Sequence, residues 1–218
     1  MAEVKRKYYP SGELYKEWFE INEKIEGEFK NYYKNGQLNV ICNYVNGKKE
    51  GECKLYHING QLFEISNYVN DYQEGEWLSY DDNGKLERIC NYVNGEQEGE
   101  YKNYWKNGQI REIYNCIDGK IEGECKWYYE NGQLGKICNY VNDKIEGEFK
   151  EFYDDGKLFK ITSYINGKLE GECKWYYLNG KLMLICHYIN NIKEGEEKNY
   201  FENGELNKIS NWFNGKQI

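Results

Sequence analysis

The sequence has one proline, two histidines and no long apolar run. The proline is Pro10, and the histidines are His57 and His187 in a chain of 218 residues. Because proline cannot donate to a strand ladder, its absence after residue 10 is compatible with continuous β-structure. No segment is long and apolar enough for a membrane span, and the charged N-terminus does not resemble a signal peptide. We therefore expect a cytoplasmic protein.

The sequence also lacks an excess of basic residues. It has 29 Lys and Arg against 37 Asp and Glu, giving a net charge of −8 that is spread evenly along the chain. A nucleic-acid-binding protein would carry a basic stripe, and a polybasic membrane anchor would carry a basic block. The charge pattern therefore predicts no direct contact with nucleic acid.

Eight cysteines are present, but their spacing is not typical of a disulfide framework. Most recur in fixed positions of a repeat, where other copies hold Ser, Thr, Phe, Tyr or Trp. We expect them to be reduced packing residues. Only Cys42 and Cys53 are expected to face each other across a turn, and whether they pair is left open. No C-x-x-C motif is present, so no zinc or other metal site is predicted.

The sequence is dominated by a repeat of 24 residues. Glu-Gly-Glu recurs at this spacing from 26–28 to 194–196, in eight copies without insertion or deletion. A fixed period of this length is typical of a repeat architecture. One active site does not need eight copies of its acids, so the motif is interpreted as a structural element.

Each repeat predicts one antiparallel β-hairpin. An aromatic position, as at Tyr32, precedes Asn-Gly, which is followed by Leu and Ile positions, a second aromatic and a second Asn-Gly or Asn-Asp turn. Asn-Gly between short apolar runs is a strong hairpin signal. The repeated glycine at Gly27 and its equivalents is expected to mark a bulge or a close approach of the backbone. We predict an all-β, elongated single-sheet solenoid of about nine stacked hairpins, with a divergent capping repeat at 1–27 and eight repeats at 28–218.

The pattern Y-Y-x-N-G-x-L-x-x-I-x-x-Y-x-N-G-K-x-E-G-E, seen from Tyr128 to Glu148 and from Tyr176 to Glu196, resembles the variant MORN repeat. The resemblance extends from about Tyr8 to Gly215. It implies stacked β-hairpins and non-enzymatic roles in scaffolding, protein interaction or lipid contact. Bacterial proteins built from this repeat resemble antitoxin or immunity components that neutralise an enzyme. The family motif is structural, so the resemblance transfers no catalytic residues.

Departures from the repeat are the best candidates for specificity, because repetition explains the remaining residues. Trp and Tyr are enriched among interface anchors. Strand alternation predicts that one aromatic set lies on a single face and forms a partner-binding strip: Tyr33, Trp105, Trp127, Tyr129, Tyr153, Trp175 and Tyr177. The alternative is that these aromatics only fill the packing of the sheet.

Function is therefore predicted to be binding without catalysis or cofactor. The resemblance, together with the aromatic strip, implies an antitoxin-like or inhibitor-like protein that occludes a partner enzyme, either a toxin or a nucleic-acid-processing effector. The alternative is a structural scaffold or a peripheral lipid-binding module. A further expectation is self-association through the apolar edge strand Leu206 to Phe213. The runs around Asp81 and Asp154 lack the ligands of a calcium loop and are interpreted as turns.

Overall fold

A computed structural model describes residues 3–218, and in this range every regular element is a β-strand. The strands are β1 Glu3–Tyr8, β2 Leu14–Ile21, β3 Lys24–Tyr32, β4 Leu38–Val45, β5 Lys48–Tyr56, β6 Leu62–Val69, β7 Tyr72–Gln73, β8 Gly75–Tyr80, β9 Leu86–Val93, β10 Glu96–Tyr104, β11 Ile110–Ile117, β12 Lys120–Tyr128, β13 Leu134–Val141, β14 Lys144–Phe152, β15 Leu158–Ile165, β16 Lys168–Leu169, β17 Gly171–Tyr176, β18 Leu182–Ile189, β19 Ile192–Tyr200, β20 Leu206–Phe213 and β21 Lys216–Gln217. No helix in the described residues is long and apolar enough to cross a membrane.

The strands form one antiparallel sheet, which confirms the predicted all-β repeat architecture. The chain divides into two compact units. Unit 1 runs to Gly108, and unit 2 runs from Gln109 to Ile218. The predicted capping repeat comprises β1, β2 and the start of β3, and its capping role stays a prediction.

The two turns of each repeat have different geometries. In the second turn, Asn46 and Gly47 have φ of 55° and 82°, which is the left-handed pair that a two-residue type I′ hairpin requires. In the first turn, Tyr33 N donates to Gln37 O at 2.8 Å and Gly36 N donates to Tyr33 O at 2.9 Å. This is a three-residue loop in which only the glycine has a left-handed backbone conformation. The side chain of Asn35 accepts a hydrogen bond from Gln37 N through Oδ1.

The predicted bulge at the Glu-Gly-Glu glycine is confirmed. In the β13–β14 pair, Asn139 lies opposite Glu146 but Ile137 lies opposite Lys150, so β14 carries two additional residues at this point. Gly147, at φ 78°, lies within the insertion. The bulge shifts all later cross-strand partners by two positions.

The buried interior is a narrow strip of small side chains. The side chains below 2% exposure are Thr162, Cys53, Cys116, Cys125, Cys173, Ser66 and Ser79. Half-buried aromatic residues such as Phe29 and Tyr44 flank this strip and contact each other edge to face at 5.7 Å. Most of the apolar area that is buried here belongs to the aromatic side chains. Because protein interiors are densely packed, the positions next to an aromatic ring accommodate only small side chains.

The cysteine prediction needs two corrections. Cys42 and Cys53 are disulfide-bonded across β4 and β5, with a Cα–Cα distance of 4.2 Å. The expectation that no other cysteines face each other was wrong. Cys125 lies opposite Cys138, and Cys173 lies opposite Cys186. These partners are separated by the first turn of their repeats, whereas Cys42 and Cys53 are separated by the second.

Candidate interaction site

The Glu-Gly-Glu motif is accounted for by structural contacts. Its first glutamate accepts a hydrogen bond from a backbone N–H of the second turn, as in Asn46 N to Glu26 Oε2 at 2.7 Å and Asn142 N to Glu122 Oε2 at 2.8 Å. Its second glutamate forms an ion pair with the lysine two residues later, for example Glu148 with Lys150 at 2.6 Å. These pairs are exposed and contribute little stability individually. Neither glutamate has the arrangement expected of a catalytic acid.

The seven predicted partner-binding residues belong to two structural classes. Trp127 and Trp175 lie within strands β12 and β17. The remaining five each occupy the first position after a strand: Tyr33, Trp105, Tyr129, Tyr153 and Tyr177. Strict alternation ends with the strand, so the placement of these five on the same face as the tryptophans stays a prediction. Their role in partner binding stays a prediction.

The four tyrosines among these five residues connect successive repeats. Each hydroxyl donates to a backbone carbonyl 23 residues further along the chain, as from Tyr33 to Tyr56 O and from Tyr153 to Tyr176 O, both at 2.8 Å. Tyr129 and Tyr177 make the same contact with Phe152 and Tyr200. His57 Nε2 lies 3.0 Å from Tyr80 O in the equivalent position. The hydroxyls therefore have a structural use.

The two tryptophans belong to a continuous cross-strand row in unit 2. We call these directly opposed residues the Trp row, and in strand order they are Glu112, Trp127, Lys136, Glu151, Lys160, Trp175 and Leu184. Trp127 and Trp175 are four strand spacings apart, which corresponds to roughly 19 Å. The row lies on the same face as the buried cysteines, since Cys125 and Trp127 are two residues apart on β12.

Charged neighbours orient both indole rings. Trp127 Nε1 donates to Glu112 Oε1 at 2.7 Å, and the Lys160 ammonium lies 5.4 Å from the centre of the Trp175 ring. Between the rings, Glu151 forms ion pairs with Lys160 at 3.1 Å and with Lys136 at 3.6 Å. A cation near an indole face and a carboxylate on its N–H both restrict ring rotation. The row thus presents two half-buried aromatic anchors separated by a polar bridge.

The charged members of the Trp row were not predicted from the sequence. In the sequence, most of these residues occupy one position of the repeat that varies between Val, Glu, Arg, Lys and Leu, whereas the position after it is always Ile from Ile41 to Ile209. Identifying their partners requires the register, because the two-residue bulge decides which side chains are opposed. Without the bulge, Glu112 would lie opposite Cys125 instead of Trp127.

The residues show no arrangement suited to metal binding. Within residues 3–218, no group of three or more His, Cys, Asp and Glu side chains is placed to hold a metal ion. The Asp81 carboxylate accepts hydrogen bonds from Asn83 N and Lys85 N, both at 2.9 Å. These bonds, chiefly the one from Lys85 N, lower the pKa of Asp81 below its ordinary value. The acidic runs therefore act in turns, as the sequence indicated.

The repeats match the MORN repeat variant in eight segments: residues 25–46, 49–70, 73–94, 97–115, 121–142, 145–166, 169–190 and 193–214. The chain belongs to this family of repeat proteins. MORN repeats indicate binding to protein or lipid in general, without specifying a partner. No curated protein matches the chain.

Solved structures with similarity to the chain include a GtfA/B complex and structures of Tc holotoxin components. A GtfA/B complex bound to UDP and GlcNAc is 13% identical with a TM-score of 0.23, covering 52% of this chain and 22% of that one. A TcdB2-TccC3 structure is 13% identical with a TM-score of 0.24, covering 99% of this chain and 14% of that one. A Photorhabdus luminescens Tc holotoxin pore is 12% identical with a TM-score of 0.22, covering 94% and 14%. This chain therefore spans less than a quarter of the length of each of them.

Proposed function

We propose that this chain is a non-enzymatic, cytoplasmic protein-binding repeat protein that inhibits a partner enzyme, in the manner of an antitoxin. The partner would be a toxin or a nucleic-acid-processing effector, and the Trp row would cover part of its surface. The observation that most directly supports this proposal is that two oriented tryptophans, Trp127 and Trp175, lie in one cross-strand row of the sheet.

The physical argument rests on the cost of ordering side chains at an interface. Tryptophan is enriched at binding hot spots because it buries a large area with few rotatable bonds. Glu112 already restrains the ring of Trp127, and Lys160 restrains the ring of Trp175. Binding would therefore cost little additional side-chain entropy at these two residues. A stable contact needs about 800 Å² on each partner, and two tryptophans at roughly 19 Å lie within one patch of that size.

The test compares the tagged wild-type chain with Trp127→Ala/Trp175→Ala in capture from the native lysate, followed by mass spectrometry. The control is Leu55→Ala, which changes the equivalent position in unit 1. We expect one stoichiometric protein that is retained by wild type and the control and lost by the double variant. Its activity should fall when the purified wild-type chain is added. A captured enzyme that remains fully active would contradict the inhibitor proposal.

A second candidate is a peripheral lipid-binding or scaffolding function. In unit 2, exposed apolar residues lie directly opposite lysines, as in the pairs Ile117–Lys120, Val141–Lys144 and Ile165–Lys168. Ile117 is 48% exposed and Ile165 is 53% exposed. Apolar side chains beside lysines suit an anionic lipid surface. Sedimentation with phosphatidylserine-containing vesicles, lost in Val141→Asp/Ile165→Asp and retained in Trp127→Ala/Trp175→Ala, would favour this function.

A further inference from the structure

Two cysteine pairs in unit 2 occupy equivalent positions in repeats that are 48 residues apart. Cys173 on β17 lies opposite Cys186 on β18, and Cys125 on β12 lies opposite Cys138 on β13. All four side chains are at most 3% exposed. Directly opposed side chains in an antiparallel pair have Cβ atoms about 4.5–5.5 Å apart, which small backbone adjustments bring to bonding distance.

The surroundings of Cys173 favour a thiolate. The Cys186 thiol donates a hydrogen bond to Cys173, the Ser163 backbone N–H donates a second, and the Lys160 ammonium lies nearby. These groups, with the Cys186 hydrogen bond first, lower the pKa of Cys173 despite its burial. The same hydrogen bond raises the pKa of Cys186. The pair therefore favours loss of one proton, with the remaining thiol hydrogen-bonded to the other sulfur.

The charged groups around the Cys173–Cys186 pair come from three strands. Lys160 lies on β15, Glu172 lies on β17 beside Cys173, and Lys193 and Glu197 lie on β19. Glu172 and Glu197 oppose thiolate formation, whereas the two lysines favour it. Lys193 and Glu197 form an ion pair at 2.5 Å, and Lys160 forms one with Glu151 of β14 at 3.1 Å, so the charge of each lysine is partly offset.

The Cys125–Cys138 pair has the opposite electrostatic setting. The position that holds Lys160 beside Cys173 holds Glu112 beside Cys125. Burial first, with the neighbouring Cys138 and Glu112, raises the pKa of Cys125, and burial raises the pKa of Cys138 to about 11. The two pairs therefore share their register and burial and differ in the charge of one cross-strand neighbour.

We propose that Cys173 and Cys186 are a reactive dithiol site that a small peroxide converts to a cross-strand disulfide more rapidly than it oxidises Cys125 and Cys138. The Cys173 thiolate attacks one oxygen of hydrogen peroxide, and the O–O bond breaks. This forms a sulfenic acid on Cys173 and releases hydroxide, which takes a proton from solvent. Cys186 then attacks Cys173 Sγ and gives up its proton, and the sulfenic oxygen leaves as water. Two thiols have lost two electrons, and one peroxide has become two waters.

Two features of the molecule support this step. Hydrogen peroxide is close to water in size, so small openings of the sheet suffice to admit it to a covered thiol. A cross-strand disulfide is compatible with this sheet, because Cys42 and Cys53 already form one in unit 1. Thiolate character, access to the oxidant and a nearby resolving cysteine select a thiol for reversible oxidation, so oxidation of Cys173 requires the transient openings of the sheet.

The test is oxidation of the folded full-length protein by hydrogen peroxide, followed by alkylation and peptide mapping over time. We expect the Cys173–Cys186 disulfide to form several-fold faster than Cys125–Cys138, because the lysine neighbour of Cys173 favours a thiolate and the glutamate neighbour of Cys125 opposes one. A thiol reductant should reverse it. Equal rates for the two pairs, or oxidation of Cys173 without a bond to Cys186, would overturn the proposal.

Two variants test the electrostatic cause. Lys160→Met keeps an unbranched side chain on Trp175 and should slow the Cys173–Cys186 reaction several-fold. Glu112→Gln keeps an acceptor for Trp127 Nε1 and should accelerate Cys125–Cys138. Circular dichroism and protection of the buried Cys116 against alkylation confirm that each variant stays folded. If both variants are folded and neither rate changes, the assigned charge effect is wrong.

Discussion

Unit 1 and unit 2 use the same turns, bulges and buried strip, but they differ at the position of the Trp row. The equivalent residues of unit 1 are Asn31, Val40, Leu55, Glu64, Ser79, Arg88 and Asn103, which are opposed in this order across β3 to β10. None is aromatic. Unit 2 has two tryptophans and a Lys–Glu–Lys bridge instead.

The difference shows which positions the fold constrains. Turn residues and bulge glycines are repeated because the backbone requires left-handed conformations there. The small buried residues are constrained by their aromatic neighbours. The Trp-row position lies beside the buried cysteines and includes the buried Ser79 in unit 1, and elsewhere the sheet accepts residues as different as Asn, Leu, Glu and Trp there. Sequence variation is therefore concentrated where it changes surface chemistry without altering the sheet.

The largest predicted effect concerns this position. Trp127→Ala and Trp175→Ala should each weaken binding of the captured partner by about 2 kcal/mol or more, or roughly 30-fold in Kd, by isothermal titration calorimetry. Leu55→Ala in unit 1 should change Kd less than about fivefold. Equal losses for Leu55→Ala and the tryptophan variants would show that the two units do not differ in binding.

The second prediction asks whether the two units share one backbone framework. Gly51 and Gly147 have φ of 79° and 78°, and a Cβ at either position would contact nothing within 4 Å. Gly51→Ala and Gly147→Ala should therefore each lower the free energy of unfolding by about 1–2 kcal/mol through backbone strain alone. Urea denaturation measures both. A difference of more than about 1 kcal/mol between the variants would break the equivalence of the repeats.

Much of this framework was predictable from the sequence because it is local. The 24-residue period, the Asn-Gly turns and the bulge glycines each depend on a few adjacent residues, and the structure confirms all three. That Cys125 and Cys138 lie opposite each other could also have been predicted from the sequence, because the two residues are equally distant from the first turn of their repeat. It was missed because only cysteines across the second turn were considered.

The Trp row was not predictable in the same way. Its partners depend on the two additional residues at Glu-Gly-Glu, which move Trp127 opposite Glu112. The placement of the five aromatics at strand ends stays a prediction, because alternation was extended one residue beyond the strand. The hydroxyls of the four tyrosines among them contact the following repeat, 23 residues away, and a single hairpin contains no information about these contacts.

A third prediction concerns those contacts between repeats. Tyr153→Phe and Tyr33→Phe each remove a hydroxyl that donates to a backbone carbonyl at 2.8 Å. Each should lower the free energy of unfolding by about 0.5–1.5 kcal/mol, since a part-buried carbonyl loses its partner. Tyr32→Phe provides the control, because the Tyr32 hydroxyl is not one of the hydroxyls that donate to a backbone carbonyl of the following repeat. If the control costs as much as the other two, the hydroxyl contacts do not hold the repeats together.

The smallest predicted effect compares one acidic turn in each unit. In unit 1, Asp81 accepts backbone hydrogen bonds; in unit 2, Asp155 accepts one from Lys157 N and pairs with the Lys157 ammonium at 3.0 Å. These contacts, with the backbone bond first, lower the pKa of both carboxyls. A lowered folded-state pKa adds stability above the unfolded-state pKa, near 4, and this is lost as pH falls through the folded-state value.

Asp81→Asn and Asp155→Asn should consequently reduce the fall in Tm between about pH 5 and pH 3, while changing Tm little at pH 7. Asparagine occupies the Asp155 position in most repeats, so it can accept the same backbone bond without titrating. Because both carboxylates are exposed, the two effects should be small and similar in size. Thermal unfolding followed by circular dichroism across this pH range measures them. An effect confined to one variant would show that the turns of the two units are not electrostatically equivalent.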